Sequence, residues 1–250
     1  MSLDISQLRG MRPTNQFHYW DSIGSTMTEA TQLAASGAPH GTVVIADEQT
    51  SGLGRLGRSW QSDAGVGIYC SLLLRITLDP ADLPIASLLL GLAVREAIQE
   101  AAGLACDLRW PNDVLVRERK VAGILAQTTD SCIVAGIGIN VNNKRFPGEF
   151  RTPPTSLYLE TGKSIPRERI IVQMLASLDD LTRTLEERGR AAILKAFAAG
   201  SSYVLSRRII VEDTGARGTT AGLDEHGFLL VRLDSGRLEK LLTGGVRPVD

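Results

Sequence analysis

The hydrophobic pattern changes period several times along the chain, and each change predicts an element. Thr26 to Glu29 has the form of a capping box, Ala30, Leu33 and Ala34 follow at helical spacing, and Gly37 supplies a stop, which predicts a helix over 27–36. A β-branched run at 42–46, after a turn at Pro39 and Gly41, predicts a strand, as does the apolar run at 67–74. A long helix is expected over 83–102, ending at Gly103, with Leu88, Leu92 and Ala93 on its inner side and Arg95, Glu96 and Glu100 outside. Residues 113–116 and 121–127 read as two strands joined by a charged turn that delivers Lys120 to a strand start. In the strand expected at 133–141, Gly136 and Gly138 leave one face bare, so another group, a ligand among the candidates, can approach the backbone. The Pro- and Gly-rich segment 143–166 reads as loop, and 167–187 and 191–199 as helices. Beyond Gly200 the pattern shortens to strands at 209–211, 219–223, 228–231 and 238–242, which predicts a small β-barrel. The expected organisation is one unit over 1–200 and a second over 201–250.

Composition narrows the function classes. The 250 residues, 43% of them hydrophobic, supply one core and a small satellite. Lys and Arg number 27 against 28 Asp and Glu, so no global field draws the chain to duplex nucleic acid or an anionic membrane, and phosphate recognition must be local. The longest apolar stretch, 86–94, is broken by Ser87 and Gly91 and falls short of the ~20 residues of a membrane span. The first dozen residues carry Asp4, Arg9 and Arg12 and lack the apolar block of a secretory signal, so a cytoplasmic location is expected. Cys70, Cys106 and Cys132 stand singly, without zinc-site spacing, and are expected as buried free thiols. His18, His40 and His226 are far apart and expected at surface or turn positions; no residue is assigned as a metal ligand.

Four clusters carry candidate chemistry. In Gly52-Leu53-Gly54-Arg55-Leu56-Gly57-Arg58-Ser59-Trp60, glycines let backbone N–H groups converge on an anion, Arg55 and Arg58 add charge, and Trp60 offers a flat face to a purine. The spacing is neither a Walker A loop nor a dinucleotide fingerprint, and as bare composition such a loop is more often a solvated turn. Arg109-Trp110-Pro111-Asn112-Asp113 ends a strand in two short polar side chains that can reach a metal–phosphate group. Lys120 stands three residues before Gly123, where its ammonium can pair with a carboxylate or phosphate while the glycine leaves room. Asn140, after Gly136 and Gly138, can hydrogen-bond across the bare strand face. Alone, these last three read as a turn, a surface lysine and a tightly packed strand.

Their order and spacing together resemble the catalytic region of biotin protein ligases, from about residue 18 to the end, with the Ser25-Thr26 pair as a further landmark. The resemblance implies an α+β fold of the class II synthetase-like biotin/lipoate ligase superfamily, a mixed sheet flanked by helices with a small C-terminal SH3-like β-barrel. It also implies the activity: biotin's carboxylate attacks the α-phosphate of ATP with Mg2+, pyrophosphate leaves, and biotinyl-5′-AMP then passes biotin to a lysine of the biotin carboxyl carrier protein of acetyl-CoA carboxylase. Lys120 resembles the lysine between the two anions, and Arg55 and Arg58 the loop arginines that hold the phosphates. Ser25, Thr26 and Gln49 resemble the residues that hydrogen-bond biotin. Gly52, Leu53, Gly54 and Gly123 fall in the matching binding segments, Trp60 resembles the residue flanking adenine, and Asn112, Asp113 and Asn140 resemble residues on the nucleotide or metal side.

Three departures stand out: Leu53 where many relatives carry arginine, Arg109 in place of lysine, and Met27 in place of asparagine. The resemblance begins too early in the chain for the ~60-residue winged helix of the repressor type, so a ligase without DNA binding is expected. A homodimer is left open, because relatives include both monomers and dimers. The rival readings are a lipoate- or octanoate-attaching enzyme of the same superfamily and a non-catalytic nucleotide- or RNA-binding module, which the missing basic surplus disfavours.

Overall fold

The computed structural model describes residues 2–76, 78–129 and 132–249. Its elements run α1 (Ile5–Met11), β1 (Phe17–Ile23), α2 (Thr26–Ala35), β2 (Val43–Gln49), β3 (Gly67–Leu74), α3 (Leu83–Ala102), β4 (Asp107–Arg109), β5 (Asp113–Val116), β6 (Arg119–Thr128) and β7 (Ile133–Asn140). They continue with α4 (Leu157–Thr161), α5 (Arg167–Arg188), α6 (Arg190–Ala199), β8 (Leu205–Val211), β9 (Arg217–Leu223), β10 (Leu229–Leu233), β11 (Leu238–Leu241) and β12 (Val246–Pro248). A seven-stranded sheet has the order β1-β2-β3-β7-β6-β5-β4, and a five-stranded one the order β11-β10-β9-β8-β12. Only β1 and β2 pair in parallel in the large sheet, so it is mixed, and the class is α+β as expected, with the small SH3-like sheet at the C-terminal side. No helix among the described residues is long and apolar enough to cross a membrane.

Strand periodicity sorts side chains between two layers. Ile68, Cys70, Leu72 and Leu74 of β3 and Ile133, Ala135, Ile137 and Ile139 of β7 join α3 and α5 in the main core. Each Ile or Leu among them contributes roughly 1.5–3 kcal/mol on removal from water, so this face anchors the fold. On the opposite face Val44, Leu73 and Val134 pack under Met27, Ala30 and Ala34 of α2. The positions left on that second face are small. Gly123 of β6 lies opposite Gly138 of β7, and Gly136 opposite Ser71 of β3.

Several elements depart from the sequence pattern. α1 and β1 were not expected; β1 is an edge strand whose half-exposed His18 and exposed Asp21 and Ser22 break the apolar alternation. The short α4, with Ser156 capping Leu159 N–H, interrupts the segment expected as loop. The charged turn narrows to Arg117 and Glu118, both at positive φ (50° and 63°), so Lys120 is already the second residue of β6. β8 and β9 begin earlier than the apolar runs that flagged them, β10 is displaced toward the C-terminus, β11 stops one residue sooner, and β12 was not expected. Cys70, Cys106 and Cys132 are buried free thiols, and burial pushes those of Cys70 and Cys106 up to about 12.

Candidate active site

The glycine patch on the second face is where the site is built. The Met27 thioether lies over Gly136 and the Trp60 indole over Gly138 and Gly123, so a methyl group at 136 or 138 would overlap them. The bare face predicted from the glycines is thus approached by two side chains of the chain itself. Between them remains a cavity of about 50 Å³, lined among others by Thr26, Gln49 and Leu53. Beside it opens a cleft of about 480 Å³. Gly54, Arg55, Trp60, Asn112 and Lys120 line both, forming a common wall.

Lys120 is held at that wall by charge. Its Nζ lies 2.5 Å from Asp113 Oδ1 and 5.3 Å from the centre of the Trp60 ring. Asp113 Oδ2 accepts from Arg109 at 2.5 Å, and the same guanidinium nitrogen donates to Thr152 Oγ1 at 2.6 Å. Burial pushes the Asp113 carboxyl up, but Lys120 and Arg109 outweigh it and leave the group below the ordinary carboxylate value. Burial likewise pulls Arg109 down, and Asp113 more than restores it. Both oxygens of Asp113 are therefore engaged by cations of the chain, which positions Lys120 rather than leaving the carboxylate open to a metal.

The Gly/Arg loop is a narrow hairpin. Trp60 N–H donates to Gly52 O at 2.8 Å and Gly54 N–H to Arg58 O at 2.7 Å, so these two donors close the loop instead of pointing at an anion. Its tip turns at Leu56 and Gly57, with φ of 57° and 71°. Arg55 reaches back from the tip: one nitrogen donates to Asn112 Oδ1 at 3.1 Å and to Gly244 O at 2.9 Å, tying the loop to the residue before β5 and to the turn between β11 and β12. Burial pulls the Arg55 guanidinium down from its ordinary value, offset in part by Asp113 and Asp213. Asn112 is fixed at its other end by donating to Ile124 O at 2.8 Å. Arg58 is half exposed and lies 3.7 Å from Glu212 Oε2, the atom that Arg151 approaches from across the cleft at 3.7 Å. Asn140 is buried at the cleft wall, its Nδ2 3.5 Å from Lys120 O.

At the small cavity, Gln49 Oε1 accepts from Thr26 N–H at 2.9 Å and from Thr26 Oγ1 at 3.0 Å. Ser25 Oγ is buried with no hydrogen-bond partner, as is Trp60 Nε1. Buried polar atoms without partners are rare in folded chains, and these two lie beside or line the cavities.

The structure therefore brings Thr26, Gln49, Leu53, Gly54, Arg55, Trp60, Asn112, Asp113, Lys120, Gly123 and Asn140 around two adjoining cavities, with Gly52 behind the Trp60 carbonyl and Ser25 capping α2 without a side-chain bond. Arg58 lies on the cleft rim, bound to the C-terminal sheet. Sequence patterns missed the cleft residues Phe146 and Phe150, edge to face with ring centres 6.4 Å apart, and Glu212 and Gly244 from the second sheet. Two aromatics within a Pro/Gly segment of a chain with only 5% aromatics were the available signal for the first pair. Glu212 and Gly244 offered none, because only tertiary packing brings them here.

The model for the biotin/lipoate A/B protein ligase family matches residues 19–143. The chain is 35% identical over 228 residues to the bifunctional ligase/repressor BirA of Bacillus subtilis, spanning 87% of this chain and 70% of that protein. Identity is 34% over 235 residues to the biotin–[acetyl-CoA-carboxylase] ligase of Mycobacterium tuberculosis, spanning 89% and 84%. The biotin protein ligase of Aquifex aeolicus, solved in complex with biotin and ATP, superimposes with a TM-score of 0.80 at 31% identity, over 93% of this chain and 97% of that one. Matching motifs, matching architecture and a lysine fixed between two adjoining cavities agree, and the chain belongs to the biotin/lipoate A/B protein ligase family.

Proposed function

We propose that this biotin ligase works in two half-reactions across the wall that its two cavities share. Biotin occupies the small cavity, widened as Trp60 and Met27 yield, and ATP the larger cleft. A biotin carboxylate oxygen attacks the α-phosphorus, the bond to the β-phosphate breaks and pyrophosphate leaves. The amine of a lysine on biotin carboxyl carrier protein then attacks the acyl carbon of biotinyl-5′-AMP, forming an amide and releasing AMP. The observation that carries this reading is the position of Lys120, whose ammonium, fixed by Asp113, stands at the wall where the two anions must meet. A cation preorganised there offsets the repulsion between carboxylate and phosphate and stabilises charge that builds in the transition state.

The remaining residues divide by cavity. Ser25, whose hydroxyl lacks a partner, together with Thr26 and Gln49 forms the polar end that takes the ureido group of biotin. Arg55 and Arg58 face the phosphates from the loop, and Asn112 and Asn140 line the nucleotide side. Trp60, with Phe146 and Phe150 opposite, supplies flat apolar surface for the purine. No group of three or more metal-binding side chains occurs among the described residues, and Asp113 is already neutralised by two cations. A protein-held metal does not fit this donor set. Mg2+ enters with the phosphates of ATP as part of that substrate, and no step is assigned to it.

The deciding experiment incubates the protein with magnesium–ATP, labelled biotin or labelled lipoate, and a biotin carboxyl carrier domain. Transfer of biotin alone is expected. Transfer of lipoate would assign the chain to the other branch of the family, and transfer of neither would overturn a catalytic reading.

A further inference from the structure

A chain of hydrogen bonds runs from the middle of the large sheet to the Gly/Arg loop, and its donor directions can be derived. Thr26 N–H can only donate, so the Gln49 atom facing it is the carbonyl oxygen, Oε1. That oxygen also receives the Thr26 hydroxyl proton, which obliges Ser71 to donate to Thr26 Oγ1, at 2.8 Å. With Oε1 fixed, Gln49 Nε2 points the other way and donates to Ser62 Oγ at 2.9 Å. Ser62 in turn gives its proton to the Trp60 carbonyl at 3.2 Å. The order is Ser71 to Thr26 to Gln49, then Gln49 to Ser62 to Trp60, with no ambiguous member. Ser62 and Ser71 are both buried, at 5% and 0% exposure, so water does not substitute for either hydroxyl.

We infer that Ser62 is a positioning residue that couples the biotin pocket to the Gly/Arg loop, with Ser71 as the fixed end of the same chain. The inference rests on the placement of biotin against Thr26 and Gln49. Ser62 touches neither substrate. It acts by holding the Gln49 amide in the one orientation compatible with Thr26 and by fastening the carbonyl of Trp60, the residue whose indole walls both cavities. Gly52 packs against that same carbonyl and receives the Trp60 N–H, so the foot of the loop is held through both peptide groups that flank Trp60. When biotin recruits Gln49, the amide can shift only if Ser62 follows, and Ser62 carries the shift to the foot of the Gly/Arg loop beside the larger cleft. Unlike Arg55, which secures the loop at its tip, Ser62 secures it at its base.

The test is Ser62→Ala in the full chain, followed by pyrophosphate release at varied biotin, by labelling of a non-acceptor protein as a measure of escaped adenylate, and by thermal melting. The expected result is a KM for biotin raised about tenfold, the equivalent of one hydrogen bond of ordinary strength, with kcat within about threefold of the parent. Non-acceptor labelling should rise, and the melting temperature should fall by about 2–4 °C, the cost of one buried hydrogen bond in a chain of this size. Ser71→Ala should raise the same KM, and the double variant should lose less than the two single effects combined, as members of one network do. An unchanged KM for biotin in Ser62→Ala, additive losses in the double variant, or kcat falling as far as binding with a melting temperature lowered beyond that range would each overturn the inference. Its failure is distinguishable from failure of the ligase reading: a parent chain that releases no pyrophosphate with biotin removes both, whereas an active parent with a silent Ser62→Ala removes the coupling alone.

Discussion

β7 and the loop before Trp60 both spell Gly-x-Gly, but the spelling serves different ends in the two places. In β7 the glycines subtract volume: Gly136 and Gly138 sit in extended, fully buried backbone, and the space above them is taken by Met27 and Trp60, more than 70 residues away in the chain. In the loop, Gly52 and Gly54 let two arms of a hairpin approach each other, and Gly57, at φ 71° with open space around it, relieves the backbone at the tip. One half of the site is therefore rigid because a sheet holds it. The other is a hairpin tied to the rest of the chain by side chains, Arg55 and Arg58 toward the tip and Ser62 at the base. A motif of glycines has no meaning until the neighbour of each missing side chain is known.

The two halves can be set against each other by substitution. Lys120→Ala removes the sheet-borne cation and should lower adenylate formation by about a hundredfold to a thousandfold, read as pyrophosphate release. Near-normal turnover would detach Lys120 from the chemistry. Gly138→Ala puts a methyl where the Trp60 indole lies, an overpacking of about 1–3 kcal/mol, and should reduce activity roughly tenfold to a hundredfold while raising KM for both biotin and ATP. If only one KM moves, Trp60 does not wall both cavities in solution. Arg55→Gly leaves the sheet intact and frees the loop, so adenylate should form yet escape, with non-acceptor lysines labelled about tenfold faster; undiminished retention would show that the loop needs no tie at its tip. Gly57→Ala should cost about 1 kcal/mol through left-handed strain alone, visible as a melting point a few degrees lower with activity nearly intact. A larger loss would mean that this glycine also makes room for a ligand.

What could be read in the sequence follows the same division. The helix at Leu83–Ala102 and the strand at Gly67–Leu74 match the pattern to the residue, because long, uniformly buried elements write their period plainly. The helix expected at 27–36 is shifted by one, since Thr26, read as its cap, is its first residue and Ser25 occupies the cap position. β1 escaped because an edge strand needs only one apolar side, and β12 because three residues are too few to show a period. In the site, Lys120, Arg55 and Trp60 were legible as motif residues, but the grip of Asp113 on Lys120 was not: Asp113 and Gly123 are register partners, and a shift in the β5–β6 pairing brings the lysine onto its carboxylate. Ser62 and Ser71 carried no signal, because one serine differs from another only through what it touches.

The second sheet meets the rest of the chain at places far apart. Gly244 accepts from Arg55 at the cleft, Gly227 accepts from the Trp110 indole at 3.0 Å and packs against Ile85 and Leu88 of α3, His226 reaches Asp82 at 2.7 Å, and Tyr203 pairs with Glu118. Its buried Ile209, Val231 and Val246 belong to the same apolar cluster as α3 and β7. Severing the chain near residue 200 would thus do more than discard an appendage: it would strip solvent protection from α3 and orphan an indole donor at the wall of the larger cleft. Heat should act on the two sheets as on one cooperative body, so an enzyme that loses its grip on the nucleotide through thermal damage loses it by melting as a whole, not by shedding a part.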